Sequence, residues 1–147
     1  MLNSNYKIQP VNNSEHEELI TIWESSVKAT HHFLQTADFF LYKKMMPEFL
    51  QQVNLICAKD KDGTIVGFLG FSGQYLEMLF VHADYRGSGI GKLLLNYCLH
   101  HHKLTKVDVN EENRDALAFY EHFSFKIISR SEVDGMGKPY PILHLSL

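Results

Sequence analysis

Cysteine is scarce in this chain: Cys57 and Cys98 are the only two among 147 residues. Two thiols cannot build the disulfide framework of a small secreted domain, and both lie in apolar patterns that suit buried, reduced side chains. Long apolar runs are missing as well. No stretch approaches the roughly 20 residues needed to span a bilayer, and the opening segment, Met1 to Pro10, is polar and has no signal-peptide hydrophobic region. The expectation is a cytoplasmic protein with no membrane partner. An excess of positive charge is also lacking. Fourteen Lys and Arg face seventeen Asp and Glu, for a net charge of -3, which excludes the broad basic surface that attracts nucleic acid. Internal repeats, linkers and low-complexity segments are absent.

What is present is the balance of a globular domain, with 45% hydrophobic, 21% charged and 12% aromatic residues. At this length one hydrophobic core serves one domain, so residues 1–147 are read as a single domain. Tyr6 to Val11 forms a short strand, and Ser14-Glu15-His16-Glu17 has capping-box spacing before a helix carrying Leu19, Ile20, Trp23 and Val27. A second helix covers Phe39 to Met46, limited by Pro47. Val53 to Ala58 and Thr64 to Phe71 are strands joined through Asp62-Gly63, and Leu76 to Val81 is a further buried strand. Ile90, Leu93, Leu94, Tyr97 and Cys98 mark one face of a helix. Val107 to Val109 is a strand, and Asn113 caps a helix with the face Ala116, Phe119, Tyr120 and Phe123. Phe125 to Ile128 and Ile142 to Leu147 close the chain as strands. This order predicts a mixed α/β (α+β) architecture, a central sheet with helices on its faces.

Three of the nine glycines fall in Arg86-Gly87-Ser88-Gly89-Ile90-Gly91-Lys92, between a buried strand and an amphipathic helix. Glycine permits positive φ and close backbone approach, and the free N–H groups opening the next helix favour an anion. Phosphate is the natural ligand. A Walker-type loop needs Gly where Arg86 stands and Ser or Thr where Leu93 stands. A dinucleotide fingerprint needs Gly in place of Lys92. Both fail, and Arg-x-x-Gly-x-Gly remains, carried by Arg86, Gly89 and Gly91.

That pattern, with Leu79-Phe80-Val81 before it, resembles motif A of the GNAT (GCN5-related N-acetyltransferase) superfamily. Asn113 to Tyr120 followed by Phe125 resembles its motif B, at the matching distance and on the matching helix. Ala29-Thr30-His31 with Phe33-Leu34, and Gly137 to Pro141, are similar to segments of small bacterial members. Two positions depart from the pattern: Ala83 stands where Pro is frequent, and Ser124 where Gly commonly ends the motif B helix. The resemblance implies the acyl-CoA N-acyltransferase fold, with about seven strands and about four helices. It implies acetyl-CoA as cosubstrate, held by the backbone of Leu79, Phe80 and Val81 and by Arg86, Gly87, Ser88, Gly89, Ile90, Gly91, Lys92 and Asn113.

It also implies direct acetyl transfer to a primary amine in a ternary complex, without an acyl-enzyme, so neither cysteine is a nucleophile. Tyr120 matches the acid that protonates the departing thiolate. An ammonium has no lone pair, so a base is required. Glu77, an acidic residue in an apolar strand, is the leading choice, with His31 and His32 as alternatives; these two and Phe33 otherwise line the acceptor cleft. The acceptor is a small-molecule amine or a protein lysine or N-terminus, and the loop Ser131 to Pro141 helps to shape its cleft. No metal is expected, because His100-His101-His102 are adjacent on a helix and cannot all face one ion. Oligomeric state stays open, with a homodimer among the options. The competing class is a non-catalytic acyl-CoA-binding or sensing module; a flavin or nicotinamide oxidoreductase is opposed by the failed dinucleotide spacing.

Overall fold

Seven strands form one mixed sheet in the order β1-β2-β3-β4-β5-β7-β6 in the computed structural model, which describes residues 5–147. Residues 1–4 of the polar opening segment lie outside the described residues. β1 (Lys7–Pro10), β2 (Asn54–Lys59), β3 (Ile65–Ser72) and β4 (Tyr75–Val81) pair antiparallel in succession. β5 (Lys106–Asn110) runs parallel to β4, and β6 (Lys126–Ser131) and β7 (Ile142–Ser146) form a hairpin whose β7 pairs with β5. The helices are α1 (His16–Thr30), α2 (Thr36–Gln51), α3 (Ile90–His101) and α4 (Arg114–His122).

The sheet is packed on both faces, and β3 shows why: all its residues but the last are buried. Phe68 faces Leu19, Trp23, Met46 and Leu50 of α1 and α2, whereas Leu69 faces Ile90, Leu94, Leu95 and Cys98 of α3 with Tyr120 of α4. Alternation along one strand thus feeds two cores. Gly67, two residues before Leu69, faces the α3 side. A Cβ there would stand 2.9 Å from Ile90 Cγ2 and 3.2 Å from the Phe80 carbonyl oxygen, so the missing side chain lets the start of α3 settle on the sheet beside the end of β4.

Three local expectations are corrected. α2 does not stop before Pro47 but continues to Gln51. Proline costs a helix interior about 3 kcal/mol, but Met46 and Leu50 beside it are buried, each worth about 1.5–3 kcal/mol, so tertiary packing outweighs the lost bond. The capping box falls earlier than Ser14: Glu15 accepts the Asn12 N–H at 2.9 Å, because a 3-10 turn, Asn13–Glu15, precedes α1. β4 is not a fully buried strand; Leu76 is buried and most of the rest is partly open. Its neighbour β5 accounts for that.

Candidate active site

β4 has seven residues, yet only Tyr75 and Leu76 pair with β5, opposite Lys106 and Val107. From Glu77 onward the two parallel strands diverge. On the other side β4 stays paired with β3 up to Val81. A strand bonded along one edge and open along the other offers N–H and C=O groups to an extended ligand. The gap opens into a cavity of about 690 Å³ lined by β4 from Leu76 to Val81, by the glycine loop, and by residues of α1, β5 and α4.

A β-bulge lies where the strands part. Phe71 pairs with Leu76 and Gly70 with Met78, which leaves Glu77 opposite no residue of β3. The bulge shifts the alternation, so Leu76, Leu79 and Val81 all contact the α3 side while Met78 and Phe80 contact the α1 side. Glu77 is thereby an exposed acid within an otherwise apolar strand and lines the cavity. Its carboxylate has no protein hydrogen bond or ion pair among the described residues, and partial desolvation, with the Asp108 carboxylate next, raises its pKa above the ordinary value of 4.5.

The far end of the cavity is backbone. Gly87 and Gly89 adopt φ of +76° and +88°, the left-handed region that costs other residues about 1–2 kcal/mol. Gly89 is the N-cap of α3 and its carbonyl accepts from Leu93. The N–H groups of Gly87, Gly89, Ile90, Gly91 and Lys92 reach no backbone acceptor among the described residues. Five donors at a helix N-terminus, flanked by the exposed Lys92 and Arg86, form an anion cradle. Arg86 also lies 3.7 Å from Asp115, a solvent-exposed pair of little energetic weight.

Tyr120 projects from α4 into the same space. It is 7% exposed and its hydroxyl has no protein partner among the described residues. Because no fully enclosed side-chain oxygen or nitrogen among those residues lacks a partner, this hydroxyl opens onto the cavity. Burial raises its pKa well above 10, so the phenol keeps its proton at any physiological pH. Asn113 caps α4, its Oδ1 accepting from the Ala116 N–H at 3.2 Å, and it too lines the cavity.

The acceptor-side candidates separate. His31 lines the cavity, and burial, with His32 second, pushes its pKa down to about 4. The Thr30 hydroxyl donates its one hydrogen to the Ser26 carbonyl at 2.8 Å, so its 2.7 Å contact with His31 Nδ1 places a proton on Nδ1 and leaves Nε2 as the acceptor. His32 is exposed, and neither it nor Phe33 lines the cavity. Phe33 instead packs between His31 and Tyr140, at 5.3 Å and 6.0 Å. Through it the loop Ser131 to Pro141 supports the cavity wall without lining it. Tyr140 accepts from the Gln35 N–H and donates to Asp38, and Tyr42 donates to Asp134, which ties that loop to the start of α2. Ser88 likewise does not line the cavity; its hydroxyl turns back to the Tyr85 carbonyl. His101 and His102 pack in tilted ring contacts on Tyr97 and Phe71, each at 4.3 Å.

Sequence reading missed Asp108, which lines the cavity from β5. A signal was available: Asp108 alternates with the buried Val107 and Val109, which puts it on the face away from their core. Both cysteines are free and buried, and burial lifts their thiols to about 11 for Cys57 and about 12 for Cys98.

A parted parallel strand pair, an anion cradle at one end and an acid and a phenol lining the same cavity define an acyltransferase-type cleft. The chain belongs to the GNAT acetyltransferase family, whose domain model, acetyltransferase (GNAT) domain, matches residues 15–137, and it is an N-acetyltransferase. It is 41% identical to the peptidyl-lysine N-acetyltransferase YjaB of Salmonella typhimurium, across 92% of this chain and 95% of the relative. The solution structure of apo-form YjaB from Escherichia coli superposes with a TM-score of 0.88 at 39% identity, covering 96% of each chain. An N-acetyltransferase from Thermoplasma acidophilum, solved in complex with coenzyme A, shares the fold at a TM-score of 0.72 and 19% identity, over 97% of this chain and 99% of the other. No helix among the described residues is long and apolar enough to cross a membrane.

Proposed function

We propose that this protein transfers the acetyl group of acetyl-CoA to the ε-amine of a lysine side chain in another protein. One observation carries the reading: a single cavity joins the anion cradle to Glu77 and Tyr120 through the gap between β4 and β5. The relatives named peptidyl-lysine N-acetyltransferases support the acceptor class. The residues present fit the cosubstrate, because five N–H groups unengaged among the described residues and two cations match a pyrophosphate, and an unpaired strand edge matches an amide-bearing arm. Acetyl-CoA supplies an activated acyl group that needs no covalent enzyme intermediate, and the high thiol pKa values leave both cysteines unsuited to one.

The chain's own residues then have separate tasks. The amides of Gly87, Gly89, Ile90, Gly91 and Lys92 and the cations Arg86 and Lys92 bind phosphate oxygens. The open edge of Leu79, Phe80 and Val81 aligns the arm, and a β4 N–H not engaged by β5 polarises the acyl carbonyl. Glu77 takes the acceptor's proton. A base works best with a pKa near the working pH; Glu77 moves toward it and His31, near 4, moves away. Tyr120, held protonated, donates to the leaving sulfur. The reaction belongs in the cytoplasm, where acetyl-CoA and reduced thiols occur together.

Incubation of the full chain with acetyl-CoA and a panel of lysine peptides, polyamines, aminoglycosides and amino acids tests the acceptor class. Mass spectrometry is expected to find acetylation on lysine peptides with kcat/KM at least tenfold above every small amine. Preference for a small amine overturns the acceptor class. CoA binding by thermal shift with no acetyl transfer to any amine overturns the reading as a catalyst.

A further inference from the structure

Resting on the lysine reading above, we propose that Asp108, held in place by His144, joins Glu77 in a two-carboxylate subsite that selects a cationic acceptor. The cavity is electrically polarised along its length. Arg86, Lys92 and the N-terminus of α3 make one end positive, while Glu77 and Asp108 enter from opposite sides of the parted strands at the other. An anionic cosubstrate and a cationic acceptor are thereby drawn to different ends. The Tyr120 hydroxyl, without a protein partner among the described residues, lines the same cavity; the residue is more than nine-tenths buried, the mark of a wall built to face a ligand.

Asp108 is not a loose surface acid. On β5 it pairs in register with His144 of β7, and its Oδ1 lies 2.7 Å from His144 Nδ1. His144 Nε2 lies 2.7 Å from Ser131 Oγ on β6. A chain across three strands therefore fixes the imidazole and aims one carboxylate oxygen, while Oδ2 keeps no protein partner among the described residues. Side-chain exposures of 50% for Asp108 and 30% for His144 leave the pair reachable from solvent, as a lysine carried on another protein requires. Asp108 binds the ammonium; His144 is a positioning residue that acts through it.

Steady-state kinetics of the full chain on a lysine peptide test this. Asp108→Asn preserves shape and the acceptor oxygen for His144 but removes the charge. It is expected to raise the peptide KM at least tenfold while leaving kcat within about threefold and the acetyl-CoA KM within twofold. His144→Leu should raise the peptide KM in the same direction, and His144→Asn, whose amide nitrogen can still donate to Asp108, should restore most of it. An unchanged peptide KM in Asp108→Asn, a fall in kcat alone, or a peptide KM in His144→Asn no better than in His144→Leu overturns the proposal. Wild-type enzyme that modifies no lysine peptide overturns the acceptor reading beneath it, whereas an active wild type with an indifferent Asp108→Asn overturns this inference alone.

Discussion

The two ends of the cavity are built on different principles. The cradle end is one contiguous loop, Arg86 to Lys92, whose donors are main-chain N–H groups and whose shape is set by Gly87 and Gly89 at positive φ. The acceptor end takes side chains from distant parts of the sequence: Thr30 and His31 at the end of α1, Glu77 on β4, Asp108 on β5. Backbone recognition needs a local spacing and tolerates almost any neighbouring side chain. Side-chain recognition needs particular groups brought together by the whole sheet. On the proposed reading, the first end is general for a cosubstrate and the second is where acceptor choice resides.

Substitutions can separate the ends by their kinetic signatures, and the largest effect belongs to the acceptor end. Glu77→Gln should lower kcat/KM for a lysine peptide about 10³-fold with CoA affinity within twofold, because an ammonium of pKa about 10.4 cannot attack until it is deprotonated. As the proposed base Glu77 works as the carboxylate, and its pKa is raised. Activity should therefore fall as pH drops through that raised value, and Glu77→Gln should lack this acidic limb. A pH–rate profile checks the sign.

Tyr120→Phe should reduce kcat about 10²-fold, less than the Glu77 change because a thiolate is a tolerable leaving group even without an acid. CoA affinity should hold, and since the phenol stays protonated far above neutrality, Tyr120 should contribute no alkaline limb near physiological pH. Equal losses in kcat and CoA affinity would merge the two ends instead of separating them.

Gly89→Ala reverses the signature. Open space surrounds the position, so any effect comes from φ of +88° and not from a clash. We expect CoA binding to weaken about tenfold, equivalent to about 1.4 kcal/mol, with kcat at saturating acetyl-CoA near wild type, as calorimetry and kinetics can show. The smallest effect is a control outside both ends. Ser124 follows α4 at φ of +74°, where glycine would relieve strain. Ser124→Gly should gain about 1 kcal/mol and raise Tm by about 2–4 °C in thermal denaturation, leaving kcat and both KM values unchanged.

Legibility followed the same division. The element order, the Asp62-Gly63 hairpin, the face of α3 and the cap at Asn113 could be read because each depends on residues within a few positions of one another. The extent of α2 could not. Local chemistry at Pro47 argued for an end, and burial of Met46 and Leu50 overruled it. Ser88, His32 and Phe33 illustrate the limit at the site: each lies beside residues that line the cavity, and the local turn of the chain directs each elsewhere. Asp108 and His144 show the converse, since strand pairing across 36 residues of sequence puts them in contact.

By itself, the sequence determined the cradle and with it the family, because glycine spacing, helix start and motif order are properties of neighbouring residues. Only the tertiary structure decided which carboxylates share the acceptor end and which histidine reaches it. That outcome depends on where β4 and β5 part, on the bulge that turns out Glu77, and on the register of β5 with β7. Such distances are set when separate segments pack into one sheet, and no local pattern records them.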